Sequence, residues 1–352
     1  MRTAYARIGL AVAAMLCCGL SARADGTAVA EQFAMPTLTA LEGLATVADA
    51  QIGELCTAPS AEALDAARSS FGGIVAAWGR VSVLRFGPLA ADSRFEKLFF
   101  WPDPRGIALR QVQGLLADAD TAALADGVAG KSAALQGIPA LEFALFGAGA
   151  ESLATPEGAF RCAFAQALAG NVARLAGEVR TGWSEGDFAA SFRNPAPGGE
   201  PYRSAAEVDG EIIKALATVF QYLRAAELLP AMGDSAEKAS GRRAPLWRSR
   251  LTFDLMLAQV EGAQALLAIA GYAENLPADS RYIADSIRFE LANAARMLGA
   301  VAEAPEAAFG NEADRQRLTV VDLSLDHAGH LVAENLAAAL GLTMGFNALD
   351  GD

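Results

Sequence analysis

Residues 137–147 read Gly-Ile-Pro-Ala-Leu-Glu-Phe-Ala-Leu-Phe-Gly, an apolar stretch with a single acid, Glu142. Pro139 suits the first turn of a helix, where the missing N–H of proline costs nothing. The pattern predicts that Gly137 ends a preceding helix in a left-handed conformation and that a new helix follows. Glu142 is then expected near the positive end of that helix. There it either bonds to a free backbone N–H or serves a ligand, and the two roles are compatible.

The rest of the sequence predicts helix nearly throughout. Alanine and leucine dominate, and runs of β-branched residues bounded by turn signals are scarce. Helices are predicted at residues 29–52, 60–84, 107–118, 141–146, 156–180, 204–228, 245–270, 280–302 and 312–340. Several of these are longer than the average globular helix, which is typical of helical bundles.

The clearest break in the helical pattern is residues 194–201, Asn-Pro-Ala-Pro-Gly-Gly-Glu-Pro. Proline and glycine cluster there between two helical segments. We therefore predict a first domain at residues 25–195 and a second at 196–352, each with about four long helices. The predicted fold class is all-α, with two four-helix-bundle domains packed side by side.

Residues 1–24 are predicted to be a secretory signal peptide. A basic start precedes an apolar run at 8–20 that is too short to span a bilayer, and residues 22–24 form an Ala-Arg-Ala cleavage motif. Cys17 and Cys18 suggest a lipoprotein signal as the alternative, but neither follows the small residue that lipid attachment usually requires. A periplasmic location is predicted over lipid anchoring, and no transmembrane segment is expected in the mature chain.

The chain is acidic, with a formal net charge of −13. Removing the predicted signal makes it more acidic, because the signal carries three arginines and no acid. A strongly negative protein repels the phosphates of nucleic acids, so nucleic acid is not an expected partner.

Cys56 and Cys162 are the cysteines that remain after the predicted signal. In an oxidising periplasm, two such cysteines predict a disulfide, and two buried free thiols are the alternative.

A second distinctive stretch is residues 99–106, Phe-Phe-Trp-Pro-Asp-Pro-Arg-Gly. Its prolines stiffen the backbone on both sides of Asp103. A stiff loop that holds Trp101, Asp103 and Arg105 is a candidate part of a binding site. The alternative is a packed loop between helices with an Arg–Asp ion pair.

A third stretch, residues 245–251, reads Pro-Leu-Trp-Arg-Ser-Arg-Leu and is predicted to open a helix. Arg248 and Arg250 could present fixed cations to a domain interface or to an anionic ligand. The alternative is a pair of surface or interdomain salt bridges.

The two histidines of the chain are His327 and His330. Their spacing places both rings on one face of a helix, with Glu334 one turn further along. These three residues are weak candidates for a metal site, because the His-Glu-x-x-His pattern of zinc proteases is absent. The alternative is a polar helix whose histidines are satisfied by neighbouring side chains.

The stretches at 137–147, 99–106 and 245–251 resemble the imelysin-like superfamily, as do Arg-Phe-Gly-Pro at 85–88 and the C-terminal tail at 340–352. This family consists of bacterial envelope proteins once classed as peptidase family M75. Its signature reads Gly-x-His-x-x-Glu, and in this chain Pro139 stands at the histidine position. Proline neither binds metal nor transfers protons.

The resemblance implies two helical bundles, export to the envelope and a role in iron uptake or homeostasis through an interdomain site. The residues expected to bind ligand there are Gly137, Trp101, Asp103, Arg105, Glu142 and Arg248. The expected partner is iron, an iron-containing ligand or an envelope protein that handles iron. No catalytic residue is predicted, and a non-enzymatic function is favoured. The alternatives are a metallopeptidase of the older M75 description and an interaction scaffold with a degenerate site.

Overall fold

The structure, a computed structural model, describes residues 23–342. Most of the predicted signal peptide and residues 343–352 of the C-terminal tail lie outside the described residues. Across the described residues the chain folds into helices and loops without a strand, so the predicted all-α class is confirmed.

Ten helices of eight residues or more form the framework of the described chain. In the first half these are α1 (Met35–Thr57), α2 (Ala61–Val81), α3 (Ile107–Asp118), α4 (Ile138–Phe146), α5 (Ala159–Ser184) and α6 (Gly186–Arg193). In the second half they are α7 (Ala205–Tyr222), α8 (Thr252–Ile269), α9 (Arg281–Leu298) and α10 (Glu312–His330).

Shorter pieces extend or connect these helices. Segments of π-helix precede α1 (Val29–Ala34) and follow α7 (Leu223–Leu228) and α10 (Leu331–Leu336). Short α-helices lie at Gly26–Ala28, Gly87–Ala90, Arg94–Leu98, Leu229–Met232, Tyr272–Asn275, Pro305–Ala308 and Ala337–Ala339. Turns of 3-10 helix lie at Ala91–Ser93, Thr121–Leu124, Ala133–Leu135, Ala150–Ala154, Pro156–Gly158, Ala236–Lys238 and Gly241–Arg243.

The helices pack as two bundles. In the first bundle α1 packs against α2 and α5, and the shorter α4 packs on α2 and α5. In the second bundle α7, α8, α9 and α10 pack on one another. Helices α2 and α8 join the two bundles, and a continuous apolar core runs through both.

Two glycines permit the close approach of α2 and α8. A Cβ added at Gly79 would lie 2.5 Å from the Cβ of Ala258, and one at Gly262 would lie 2.9 Å from the Cα of Arg80. Contacts this short do not occur between real carbon atoms, so larger residues would push the helices apart. The contact between the bundles therefore depends on residues that lack a side chain.

A buried polar cluster lies where α2, α7 and α8 meet. The Gln259 amide donates to Oε1 of Glu227 at 3.1 Å, while Oε2 of Glu227 has no partner among the described residues. Burial raises the pKa of Glu227 to about 8, although the hydrogen bond from Gln259 and the charge of Arg85 act in the opposite direction. Arg85 stacks over Phe95, 3.9 Å from the ring centroid, and over Tyr222 at 4.8 Å. This cluster places ionisable groups between the two bundles.

The predicted disulfide is present between Cys56 at the end of α1 and Cys162 in α5. The two Cα atoms lie 5.5 Å apart, across a sequence separation of 106 residues. This bond ties together two helices that form the centre of the first bundle.

Asp209 in α7 is fully buried and receives donors from the start of the described chain. The backbone N–H of Ala24 donates to it at 2.7 Å, and Arg23 donates at 3.1 Å. The Tyr272 hydroxyl also donates, at 3.2 Å. Burial raises the pKa of Asp209, and these donors oppose the shift. The cleavage predicted after Ala24 would remove two of these three donors.

The segment between α6 and α7 lacks helix, as the composition of residues 194–201 predicted. The domain boundary placed there stays a prediction, because the apolar core is shared by both halves. Among the described residues, Thr252–Asn275 is the one stretch long and apolar enough to cross a bilayer. Most of its apolar window is buried in the protein, as expected of a core helix.

Candidate functional site

A cleft of about 160 Å³ opens between the two halves of the chain. The first half contributes the 99–106 loop, the start of α3 and the α4 stretch, and the second half contributes the segment before α8. The predicted site residues Trp101, Asp103, Glu142 and Arg248 all line this cleft.

Glu142 connects the two halves at the cleft. Its side chain is 4% exposed, and its Oε1 accepts the backbone N–H of Ser249 at 2.9 Å and the Ser249 hydroxyl at 3.0 Å. The hydroxyl also lies 3.0 Å from the Leu246 carbonyl oxygen, so its single proton can serve only one of the two acceptors. Ser249 therefore forms the direct polar bridge from the second half to the Glu142 carboxyl.

Burial raises the pKa of Glu142 above its ordinary value. The Ser249 hydrogen bonds and the charge of Arg248 oppose this shift without cancelling it. Arg248 Nη1 lies 3.9 Å from Oε2 of Glu142, a distance that permits charge attraction but not a hydrogen bond. The carboxyl is thus buried and already supplied with donors by the protein.

The expectation that Glu142 caps its own helix is wrong. Helix α4 begins at Ile138, so Glu142 lies in the second turn, beyond the free N–H groups. Its donors come from Ser249, which is distant in sequence. The predicted place of Pro139 in the first turn of the helix is confirmed.

The expectation for Gly137 is also wrong in its geometry. Gly137 has φ −124° and ψ −162°, an extended conformation, and it precedes α4 instead of closing a helix in the left-handed region. A Cβ at this position would lie 2.2 Å from the carbonyl oxygen of Leu98 and 2.3 Å from that of Lys97. Glycine is required here because the 97–98 backbone passes directly against it, and that approach brings the 99–106 loop beside α4.

The 99–106 loop is fixed by hydrogen bonds at both ends. Asp103 accepts the backbone N–H groups of Ile107 at 2.7 Å and Ala108 at 2.8 Å, so it caps the start of α3. The Trp101 indole donates to the Ala226 carbonyl at 2.9 Å, and the Trp101 carbonyl accepts the Tyr222 hydroxyl at 2.7 Å. Trp101 therefore attaches this loop to the second bundle.

Arg105 does not join the cleft lining. Its side chain is exposed, and the described residues include no ion pair between Arg105 and Asp103. Asp103 is occupied by the α3 backbone instead, which explains why the Arg–Asp pair does not form. The carbonyl of Arg105 accepts the Arg110 guanidinium at 2.6 Å.

The helix predicted from residue 245 begins only at Thr252. The preceding residues form a compact turn in which Leu246 has φ +54° and Arg250 has φ +64°. A left-handed conformation is uncommon for residues with a side chain and occurs mainly where the surroundings enforce it. The turn is closed by Leu251 N–H donating to the Leu246 carbonyl at 3.1 Å. It places Trp247 and Arg248 in the cleft lining.

Arginine and aromatic side chains alternate along this wall of the cleft. The guanidinium carbon of Arg248 lies 4.5 Å from the Trp247 ring centroid and 5.1 Å from that of Phe143. Arg242 lies 5.4 Å from the Trp247 ring. Attraction between cations and ring faces holds guanidinium groups in such positions. The pKa of Arg248 is lowered by burial, with Glu142 opposing and the like charge of Arg242 adding to the effect.

The histidines lie far along α10 and do not meet the cleft lining. His327 Nδ1 lies 2.8 Å from Oε1 of Glu290, and His330 Nδ1 lies 3.2 Å from Oε1 of Glu334. Each histidine thus has its own carboxylate partner. Within residues 23–342 no three His, Cys, Asp or Glu side chains are grouped so that they could hold a metal ion.

The sequence did not single out Ser249, which bonds to Glu142, or Trp247 and Arg242, which line the cleft. The signal available for the first two was the Pro-Leu-Trp-Arg-Ser-Arg stretch itself, which we interpreted as a helix start. A helix would have spread these side chains around its axis, whereas the turn collects them on one side. For Arg242 the sequence offers no comparable signal.

The chain matches a known protein family over most of its length. The family model described as Imelysin, peptidase M75, matches residues 34–331. Among proteins of curated function, none matches the chain.

Two solved structures share the fold. An imelysin-like protein from Psychrobacter arcticum 273-4 has a TM-score of 0.71 and 20% identity, covering 91% of this chain and 96% of its own. A protein from Parabacteroides distasonis ATCC 8503, described as an iron-regulated protein A precursor, has a TM-score of 0.72 and 11% identity, covering 92% and 95%. The family match extends over most of the sequence, and the chain belongs to the imelysin family, peptidase M75.

Proposed function

We propose that this chain is an exported, non-enzymatic binding protein with a role in iron uptake or homeostasis. Its ligand binds in the cleft between the two bundles. The observation that carries the proposal is the convergence of Glu142, Trp101 and Asp103 from the first half with Arg248 from the second half on one cleft. Those residues came from three separate stretches of sequence, and only the fold brings them together.

The link to iron comes from the family and its relatives. One protein of the same fold is described as an iron-regulated protein A precursor, and the resemblance to the imelysin-like family implies a role in iron uptake or homeostasis. Export is proposed from the signal-like residues 1–24, and the disulfide between Cys56 and Cys162 is consistent with an oxidising compartment.

A peptidase function has less support from the described residues. A catalytic zinc site needs three protein ligands and an open position. The cleft offers Asp103 and Glu142 as acids, and both are held by protein N–H donors. Pro139, at the histidine position of the family signature, lines the cleft without a metal-binding atom.

The test is iron binding by the purified protein that begins at Asp25. Ferrous iron and a ferric chelate are titrated by calorimetry into the wild type and Glu142→Gln, with Glu62→Gln as the control. Glu62 is exposed at the start of α2 and does not line the cleft. We expect binding that is weakened in Glu142→Gln and unchanged in the control. No binding of either form of iron contradicts the proposal. Chelator-sensitive cleavage of a peptide library, lost in His327→Ala/His330→Ala, would establish the peptidase instead.

A further inference from the structure

The acidic and the basic side chains of the cleft differ in whether the protein itself supplies their hydrogen-bond partners. Both carboxyl oxygens of Asp103 accept backbone N–H groups, and Oε1 of Glu142 accepts the backbone N–H of Ser249 with the Ser249 hydroxyl also in reach. Three of the four carboxyl oxygens are therefore occupied by donors from the protein itself. A bare metal cation would have to compete with these hydrogen bonds and remove a buried carboxyl from its partners.

The arginines of the cleft are not occupied in this way. Within residues 23–342, Arg242 makes no ion pair or hydrogen bond through its side chain, and its contact is with the Trp247 ring. Arg248 reaches an acid only at 3.9 Å, beyond hydrogen-bond distance. Its remaining contacts are with the Trp247 and Phe143 rings. The guanidinium N–H groups on this wall thus have no hydrogen-bond acceptor among the described residues and are free to bind a ligand.

Both guanidinium groups lie beside the same Trp247 ring, 5.4 Å and 4.5 Å from its centroid. Like charges held beside one ring repel each other, and the charge of Arg242 accordingly lowers the pKa of Arg248. This pair stands out because the chain has a net charge of −13. An anion placed between two cations removes their repulsion and gains a hydrogen bond from each.

We propose that the cleft binds a small oxyanion, one that carries carboxylate or phosphate groups, and that Arg242 and Arg248 hold it. The guanidinium fork matches the two oxygens of such groups, and stacking on Trp247 orients the forks before the ligand arrives. The cleft volume of about 160 Å³ is below the range of drug-sized sites, so the ligand is small.

This inference rests on the proposed function, in which the cleft is the ligand site, and it names the class of ligand. Iron then enters the cleft as an anionic chelate, wrapped in carboxylates, and not as a bare cation. The acids of the cleft hold the protein together, while the arginines recognise the chelate.

The test uses the protein that begins at Asp25 and the variants Arg242→Gln and Arg243→Gln. Both arginines are exposed and adjacent in sequence, but only Arg242 lines the cleft, so Arg243→Gln controls for the lost charge. Citrate, inorganic phosphate, ferric citrate and ferrous ion are each titrated by calorimetry. Citrate against phosphate separates the two kinds of oxyanion.

We expect at least one oxyanion to bind the wild type and to bind Arg242→Gln about tenfold more weakly. Affinity should be unchanged in Arg243→Gln and should fall as salt is raised. Equal affinity in Arg242→Gln and wild type, or no oxyanion binding, overturns the inference. If ferrous ion binds Arg242→Gln as tightly as the wild type but binds Glu142→Gln more weakly, the proposed role in iron binding stands and the oxyanion inference is wrong. If ferric citrate binds no more tightly than citrate alone, the oxyanion inference stands and the proposed role in iron binding is contradicted.

Discussion

One oxygen of Glu142 accepts the backbone N–H of Ser249 at 2.9 Å and lies 3.0 Å from the Ser249 hydroxyl. The two residues are 107 positions apart in sequence and belong to different halves of the chain. The contact joins helix α4 to the turn before α8. Glu142 therefore has a structural role between the bundles whether or not it also touches a ligand.

Replacing Glu142 should reduce stability through this contact. In Glu142→Ala the partly buried Ser249 N–H loses its acceptor, and we expect a loss of about 1–3 kcal/mol in the free energy of unfolding. Glu142→Gln keeps an acceptor oxygen and should cost less. Urea unfolding of Glu142→Ala, Ser249→Ala and the double variant measures the coupling between the two residues. Additive effects would contradict a direct Glu142–Ser249 interaction.

Glu227 should make stability depend on pH. Its pKa is about 8 in the folded protein and near the ordinary 4.5 in the unfolded chain. Between these values the folded state holds a proton that the unfolded state releases, so the free energy of unfolding falls as pH rises, by at most about 1.4 kcal/mol per pH unit. Below the lower value the full stability is present.

The variant Glu227→Gln isolates this effect. Its free energy of unfolding should be close to that of the wild type near pH 5 and should exceed it near pH 8, because the side-chain amide of glutamine does not titrate. Unfolding by urea across this pH range measures the difference, with the exposed Glu62→Gln as the control. Parallel pH curves for wild type and Glu227→Gln would show that Glu227 does not titrate in this window.

The disulfide between Cys56 and Cys162 should contribute strongly to stability. It closes a loop of more than 100 residues, and the chain-entropy model gives about 4–5 kcal/mol for a loop of that length. Cys56→Ala/Cys162→Ala should unfold at lower urea concentration than the wild type. Thiol titration of the denatured wild type should find no free cysteine in the protein that begins at Asp25. Two free thiols would contradict the bond.

Cleavage at the predicted signal site should lower the melting temperature of the protein. A protein that begins at Arg23 keeps two donors to buried Asp209, and a protein that begins at Asp25 loses both. Hydrogen bonds to charged groups are worth about 1.5–3 kcal/mol, so the longer protein should melt a few degrees higher, by roughly 2–4 °C per kcal/mol.

The same pair of proteins made with Asp209→Asn supplies the control. With Asp209→Asn, the difference in melting temperature between the proteins that begin at Arg23 and at Asp25 should shrink, because the charged acceptor is gone. Equal melting of the two wild-type forms would mean that Arg23 and Ala24 do not stabilise Asp209. N-terminal sequencing of the exported protein, which we expect to begin at Asp25, shows which form exists.

Local patterns predicted the helices well where neighbouring residues decide them. Helix α3 runs from Ile107 to Asp118 as predicted, and Ser60 caps α2 by accepting the Ala63 N–H at 3.1 Å. The stretches at 137–147 and 99–106, which carry the family resemblance, also pointed to Glu142, Trp101 and Asp103, and these three line one cleft. These features depend on short-range periodicity, on caps, or on a motif that can be read directly.

The features that the sequence missed depend on contacts between distant residues. The turn at 246–251 places Leu246 and Arg250 in left-handed conformations, which nothing in their own chemistry favours. Gly137 is required because the distant 97–98 backbone passes against it. The burial of Glu227 follows from where α2, α7 and α8 meet. A single sequence carries no local signal for such contacts.

The central claim is that ligand binds between the two bundles. Hydrogen–deuterium exchange of the protein that begins at Asp25, with and without ferric citrate, tests it most directly. We predict slower exchange in peptides from both halves, at residues 100–112 and 139–143 in the first and 242–249 in the second, with α10 unchanged. Protection confined to one half, or centred on the histidine segment 326–334, would contradict the claim.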